Sequence, residues 1–87
     1  MPEISRFYGI RITLNWADHN PPHFHAEYGD FEALIQFSPM IGILRGNLPR
    51  TALNLCLQWA SLHQSELLAA WESAQARRPF GKIEPLD

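Results

Sequence analysis

Gly29-Asp30 constrains this chain more than any other pair of residues. It separates two short runs, His23 to Tyr28 and Phe31 to Phe37, in which apolar side chains recur at every second position. A period of two is the pattern of a half-buried strand. Gly followed by Asp suits a two-residue hairpin turn, because Gly takes positive φ without steric cost. The turn dictates a register with Tyr28 opposite Phe31, Ala26 opposite Ala33 and Phe24 opposite Ile35. One face then carries Phe24, Ala26, Tyr28, Phe31, Ala33, Ile35 and Phe37. The other carries His23, His25 and Glu27 beside Glu32, Leu34 and Gln36. A slip of one residue would scramble this division, so the register is well specified.

The flanking segments extend the pattern. Ile10, Ile12, Leu14 and Trp16 alternate with Arg11, Thr13 and Asn15 as a further strand. Asp18-His19-Asn20-Pro21-Pro22 breaks it, since proline donates no ladder hydrogen bond. Ser38-Pro39-Met40 reads as a turn, and Ile41 to Arg45 as a short additional strand. The second half is helical. Pro49 suits a first helical position. Ala52, Leu55, Cys56, Trp59, Leu62 and His63 share a face, while Thr51, Asn54, Gln58 and Ser61 share the opposite one. Leu67, Ala70, Trp71 and Ala74 continue the stripe at a rotated angle. Ser61-Leu62-His63-Gln64 has the form of a capping box, so a break is expected near residues 61–65. Pro79 and Gly81 stop the helix, and Ile83 and Leu86 are placed to dock on the core. With 87 residues the chain is one domain spanning 1–87. The expected fold is α+β: an antiparallel meander of three or four strands, packed on one face by one kinked or two C-terminal helices. Trp59 and the Phe24/Phe31 pair are the costliest expected truncations.

Composition narrows the function classes. Only 18% of residues are charged, without a block of like sign, which argues against a disordered chain. The single Cys56 excludes an intramolecular disulfide and a CxxC zinc site, and its place on the helical stripe makes it packing. No apolar stretch approaches membrane-spanning length and no signal-peptide pattern opens the chain, so a soluble cytoplasmic protein is expected. Formal net charge is -2, which provides no global attraction to nucleic acid or membrane. A local basic strip from Arg45, Arg50, Arg77, Arg78 and Lys82 is the one exception the sequence allows.

The chemistry concentrates in Asp18-His19-Asn20-Pro21-Pro22-His23-Phe24-His25-Ala26-Glu27. On a strand, His23, His25 and Glu27 point the same way. Two imidazoles and a carboxylate are suitable ligands for a zinc-like divalent cation, with His19 or Glu32 as substitutes for Glu27. The same histidines also suit acid–base cleavage of RNA, with Arg11 or Arg45 on phosphate. The acidic net charge argues against that. The plainest reading has Asp18, His19 and Asn20 organising the loop, stiffened by the two prolines. His63, on the helical stripe, reads as a satisfied core histidine.

The opening Met-Pro-Glu-Ile-Ser-Arg-Phe-Tyr-Gly, the HNPPHFHA string at residues 19–26 and Gly46-Asn47-Leu48-Pro49 resemble a bacterial family. So do Trp59, Leu62-His63, Glu66-Leu67, Trp71-Glu72 and Lys82 to Leu86. This is domain-of-unknown-function family 4160, and the resemblance spans essentially the whole chain. It implies a small protein whose gene lies beside that of another small protein, as in toxin–antitoxin pairs. It carries over no catalytic residue and no cofactor. The leading expectation is therefore a protein-interaction or regulatory module of a two-gene system. Metal binding and a ribonuclease-like toxin are the alternatives. An open edge strand would also allow a homodimer.

Overall fold

The hairpin around Gly29-Asp30 forms in the computed structural model, which describes residues 2–87. Strand β3 (His23–Tyr28) pairs antiparallel with β4 (Phe31–Gln36), with Tyr28 opposite Phe31, Ala26 opposite Ala33 and Phe24 opposite Ile35. Gly29 has φ 57°, as the first central residue of a type II′ turn requires. On one side β3 pairs with β2 (Ile10–Thr13), which pairs in turn with β1 (Glu3–Phe7). On the other side β4 pairs with β5 (Gly42–Asn47). The result is a five-stranded antiparallel meander in the order β1-β2-β3-β4-β5.

The expected count of three or four strands is thus exceeded, because β1 has no clean period of two. A register shift between Glu3 and Ser5 puts both Ile4 and Ser5 inside, and such a bulge erases the alternation that betrays a strand. Tyr8 and Gly9, both at positive φ, form the two-residue turn into β2. β2 itself is shorter than the alternation implied. It ends at Thr13, and Trp16 leaves the sheet to pack on Phe80 with ring centroids 4.8 Å apart.

Helix α1 (Arg50–Leu62) and helix α2 (Gln64–Gln75) follow, with the expected break at His63. Pro49 sits just before the first turn, and its carbonyl accepts from the Leu53 N–H at 2.9 Å. The capping box does not form. α1 runs on through Leu62, and the Gln64 side-chain amide donates instead to the Phe37 carbonyl at 2.7 Å. The break transfers the buried stripe to Leu67, Ala70, Trp71 and Ala74, which leaves Leu62 at the end of α1 65% exposed. His63 is only partly buried. Its Nδ1 lies 2.7 Å from Glu66 Oε1, and its ring rests 5.6 Å from Trp59.

α2 ends before Pro79 is reached. Arg78 N–H donates to the Ser73 carbonyl at 2.8 Å and Arg77 N–H to the Ala74 carbonyl at 3.1 Å. This pair of bonds is a Schellman motif, which places its central residue in the left-handed region. Here that residue is Arg77, at φ 57°. A Cβ at this φ costs about 1–2 kcal/mol, partly offset by the greater freedom of glycine in the unfolded chain. Arg77→Gly is therefore expected to raise stability by roughly 0.5–1 kcal/mol, read as a higher urea midpoint. An unchanged or lower midpoint would contradict this account of the helix end.

The core lies between the Phe24/Ile35 face of the sheet and the two helices. Ile10, Ile12, Leu14, Phe24, Ile35 and Phe37 meet Cys56, Trp59, Ala60 and Leu67, all fully buried. Burial pushes the Cys56 thiol up to about 12, so it has no thiolate character at neutral pH. Phe24 meets the Trp59 indole edge-on at 5.5 Å, and Phe7 lies 5.4 Å from it. The tail docks as expected: Ile83 N–H donates to the Ile4 carbonyl at 2.7 Å, and the indole N–H of Trp59 donates to the Glu84 carbonyl at 2.8 Å. Phe31 and Tyr28, at the hairpin tip, are exposed. Tyr28 still borders Ala52 and Leu55 of α1, but Phe31 is 43% exposed, so it is not a core residue. Arg45 on β5 and Lys82 beside Glu3 and Arg6 of β1 fall at opposite edges of the sheet, so the basic residues form no single strip. Among the described residues no helix is long and apolar enough to cross a membrane.

Candidate functional site

The loop between β2 and β3 is pinned by the end of α2. Ala17 N–H donates to the Ala74 carbonyl at 3.2 Å, and the Gln75 side-chain amide donates to the Asp18 carbonyl at 2.8 Å. This tether turns the Asp18 carboxylate back onto the start of β3. Its Oδ2 lies 3.2 Å from His23 Nε2 and 3.4 Å from His25 Nε2. One ligand atom from each of Asp18, His23 and His25 falls within 4.8 Å of the others. His23 is buried, with its ring 5.4 Å from Trp71. His25 and Asp18 are partly buried.

Two members of the triad, His23 and Asp18, are held from behind. His23 Nδ1 is 2.8 Å from the Pro21 carbonyl. His25 Nδ1 has no hydrogen-bond partner, and its nearest carboxylate is Glu32 Oε2 at 3.7 Å. Asp18 Oδ1 accepts from the His19 backbone N–H at 2.8 Å. The Asn15 side-chain amide donates to Asp18 Oδ2 at 3.4 Å and lies 3.1 Å from His25 Nε2. Burial works to raise the Asp18 carboxyl, but the His19 N–H, His25, His23 and Asn15 outweigh it, and the carboxyl sits below its ordinary value.

A carbonyl can only accept, so His23 Nδ1 donates to Pro21, and its Nε2 faces a carboxylate oxygen. Asp18 Oδ2 is shared among His23 Nε2, His25 Nε2 and the Asn15 amide, at 3.2, 3.4 and 3.4 Å. Two ring nitrogens and a carboxylate oxygen thus converge, with the Asn15 amide beside them. One positive charge at their centre, an ion or an added proton, balances the arrangement.

The expected site residues divide. Asp18, His23 and His25 come together. Glu27, expected in the ligand set, lies on the same sheet face but is bound at 2.9 Å to Arg11, which also meets Glu3 at 3.2 Å. Asp18 stands where the strand pattern put Glu27. His19 and Asn20 line a cleft of about 430 Å³ with Asp18, Pro21, His23, Leu34, Leu44 and Arg45. Of the two arginines considered for an anion, Arg45 is in this cleft and Arg11 is not. Sequence reasoning missed Asn15 and Gln75, because both act through the fold of the loop and no spacing marks them.

The profile of one protein family, described as a domain of unknown function (DUF4160), matches residues 9–72. The chain belongs to this family. The DUF4160 match takes in Asn15, Asp18, His23, His25, Glu32 and Arg45, so the triad and its cleft lie within the matched residues, while the tether at Ala74 and Gln75 lies just beyond them. β1 and the docked tail lie outside it. No curated protein and no solved structure matches the chain.

Proposed function

We propose that this DUF4160 protein binds one divalent transition-metal ion, zinc in the first instance, through Asp18, His23 and His25. The observation that carries the reading is the convergence of one ligand atom from each of Asp18, His23 and His25 within 4.8 Å of one another. The separations of 3.2 and 3.4 Å fit it: metal bonds of ~2.0–2.1 Å place tetrahedral ligands about 3.3–3.4 Å apart. The back contact of His23 fits as well, since a metal-bound histidine directs its other ring N–H to a carbonyl or carboxylate. Purified without a histidine tag and supplied with Zn²⁺, the protein is expected to hold one equivalent. His23→Ala with His25→Ala should abolish this, and Glu27→Gln should leave it intact. Metal content unchanged in the double variant would refute the reading.

A partner-binding role has separate support. β5 is an outer strand, and Met40, Ile43 and Leu44 are 74%, 44% and 44% exposed on it and its lead-in turn. An open edge with apolar side chains suits strand addition by a second protein, as a two-gene interaction module requires. Affinity purification from a native host should recover a stoichiometric small partner; repeated recovery of the bare chain counts against it. Metal-free RNA cleavage has less support, because the ring nitrogens of His23 face Pro21 and Asp18 instead of solvent.

A further inference from the structure

We propose that the cleft over the triad takes a small phosphate-bearing ligand, its phosphoryl oxygens shared between the metal and Arg45. The inference rests on the metal reading and specifies what the bound metal is for. Closed structural zinc sites use four protein ligands, whereas sites that exchange ligands use three and leave a position open. Here the protein supplies three. Two of them, Asp18 and His23, also line the cleft of about 430 Å³, which puts the cleft beside the metal position.

Arg45 supplies the second contact. In the cross-strand ladder His25 pairs with Leu34, and Leu34 pairs with Arg45. Paired residues share a face, so Arg45 stands two strands from His25, about 10 Å across the sheet, on the same side. Leu34, between them in the ladder, is one of the residues lining the cleft. The arginines on the other half of this face are neutralised: Arg6 by Glu3, and Arg11 by Glu3 and Glu27. Arg45 has no ion-pair partner among the described residues, and its cross-strand neighbour is apolar. A guanidinium facing a metal across a cleft is the arrangement that clamps a tetrahedral oxyanion from two sides. A single free cation suits one phosphate group, not a nucleic-acid backbone, which needs a row of them. The cleft volume lies in the range of small-molecule sites.

Cobalt tests this on the full-length protein, because Co²⁺ takes the same ligands as Zn²⁺ and its visible absorption reports coordination. Inorganic phosphate added to the Co²⁺-loaded protein should change the spectrum saturably, and equal acetate should not. Arg45→Gln should weaken the phosphate response about ten-fold while leaving Co²⁺ affinity within about two-fold. Arg45 is an exposed side chain on an outer strand, so this variant keeps its core. A spectrum indifferent to phosphate, a response equal in Arg45→Gln, or equal competition by acetate overturns the phosphate assignment and leaves the metal reading standing. Failure to bind either Co²⁺ or Zn²⁺ overturns both.

Discussion

Replacing Trp59 with alanine is expected to lower the free energy of unfolding by about 3–5 kcal/mol. A domain of this length has roughly 4–13 kcal/mol in total, so the variant should be largely destabilised at 37 °C. Two losses combine. The first is packing: the indole is fully buried and contacts rings on three other segments, Phe7 of β1, Phe24 of β3 and His63 at the helix break. The second is the bond from the indole N–H to the Glu84 carbonyl at 2.8 Å, which fastens the C-terminal tail. Trp59→Phe separates them. It keeps an aromatic ring against Phe7 and Phe24 but has no donor, so it should cost less overall, with about 1–2 kcal/mol from the unpaired carbonyl. It should also speed hydrogen exchange at the Ile83 amide more than at β3 amides. Urea denaturation followed by circular dichroism measures the total. A loss below about 1 kcal/mol for Trp59→Ala would mean that the core does not depend on this ring.

Gly46→Ala is expected to cost at least about 2 kcal/mol, although the residue is exposed on an outer strand. Gly46 has φ +81°, and a Cβ there would fall 2.3 Å from the Glu32 carbonyl oxygen and 3.0 Å from the Ala33 Cα. Both obstacles are backbone, so no side chain can swing aside. Relief requires β5 to separate from β4. Because Arg45 lies on β5 and the triad on β3 and its preceding loop, the variant should separate the two parts of the site. Metal affinity should persist while phosphate binding falls. Hydrogen exchange should accelerate along β5 and not along β2 and β3. Stability equal to the parent protein, or uniform acceleration across the sheet, would contradict this placement of the strain.

How far the sequence could be read depended on how local the governing interactions are. The β3–β4 hairpin was legible to the residue, because a two-residue turn and a clean period of two specify register without outside help. The helix break was legible from the drift of the apolar stripe. β1 was not, because its bulge buries consecutive residues and removes the period. The capping box at Ser61 was a local signal overridden by tertiary structure: the Gln64 amide satisfies the Phe37 carbonyl at the end of the sheet instead. Leu62 and Phe31 bear apolar side chains at the right spacing, yet nothing covers them, since coverage depends on where the helices lie across the sheet.

The candidate site divides along the same line. That His23 and His25 share a face follows from the strand period alone. That Asp18 joins them, and Glu27 does not, depends on contacts distant in sequence. The carboxylate is turned inward by a loop tied to Ala74 and Gln75 of α2. Glu27 is drawn to Arg11 on the neighbouring strand. By itself the sequence determined the hairpin, its register, the helical second half and the pair of histidines, because each is set by residues close along the chain. Only the tertiary structure decided the third member of the triad, the cleft and the presence of Arg45 in it. Those require the end of α2 and a strand two places across the sheet to meet β3, and no local spacing encodes that meeting.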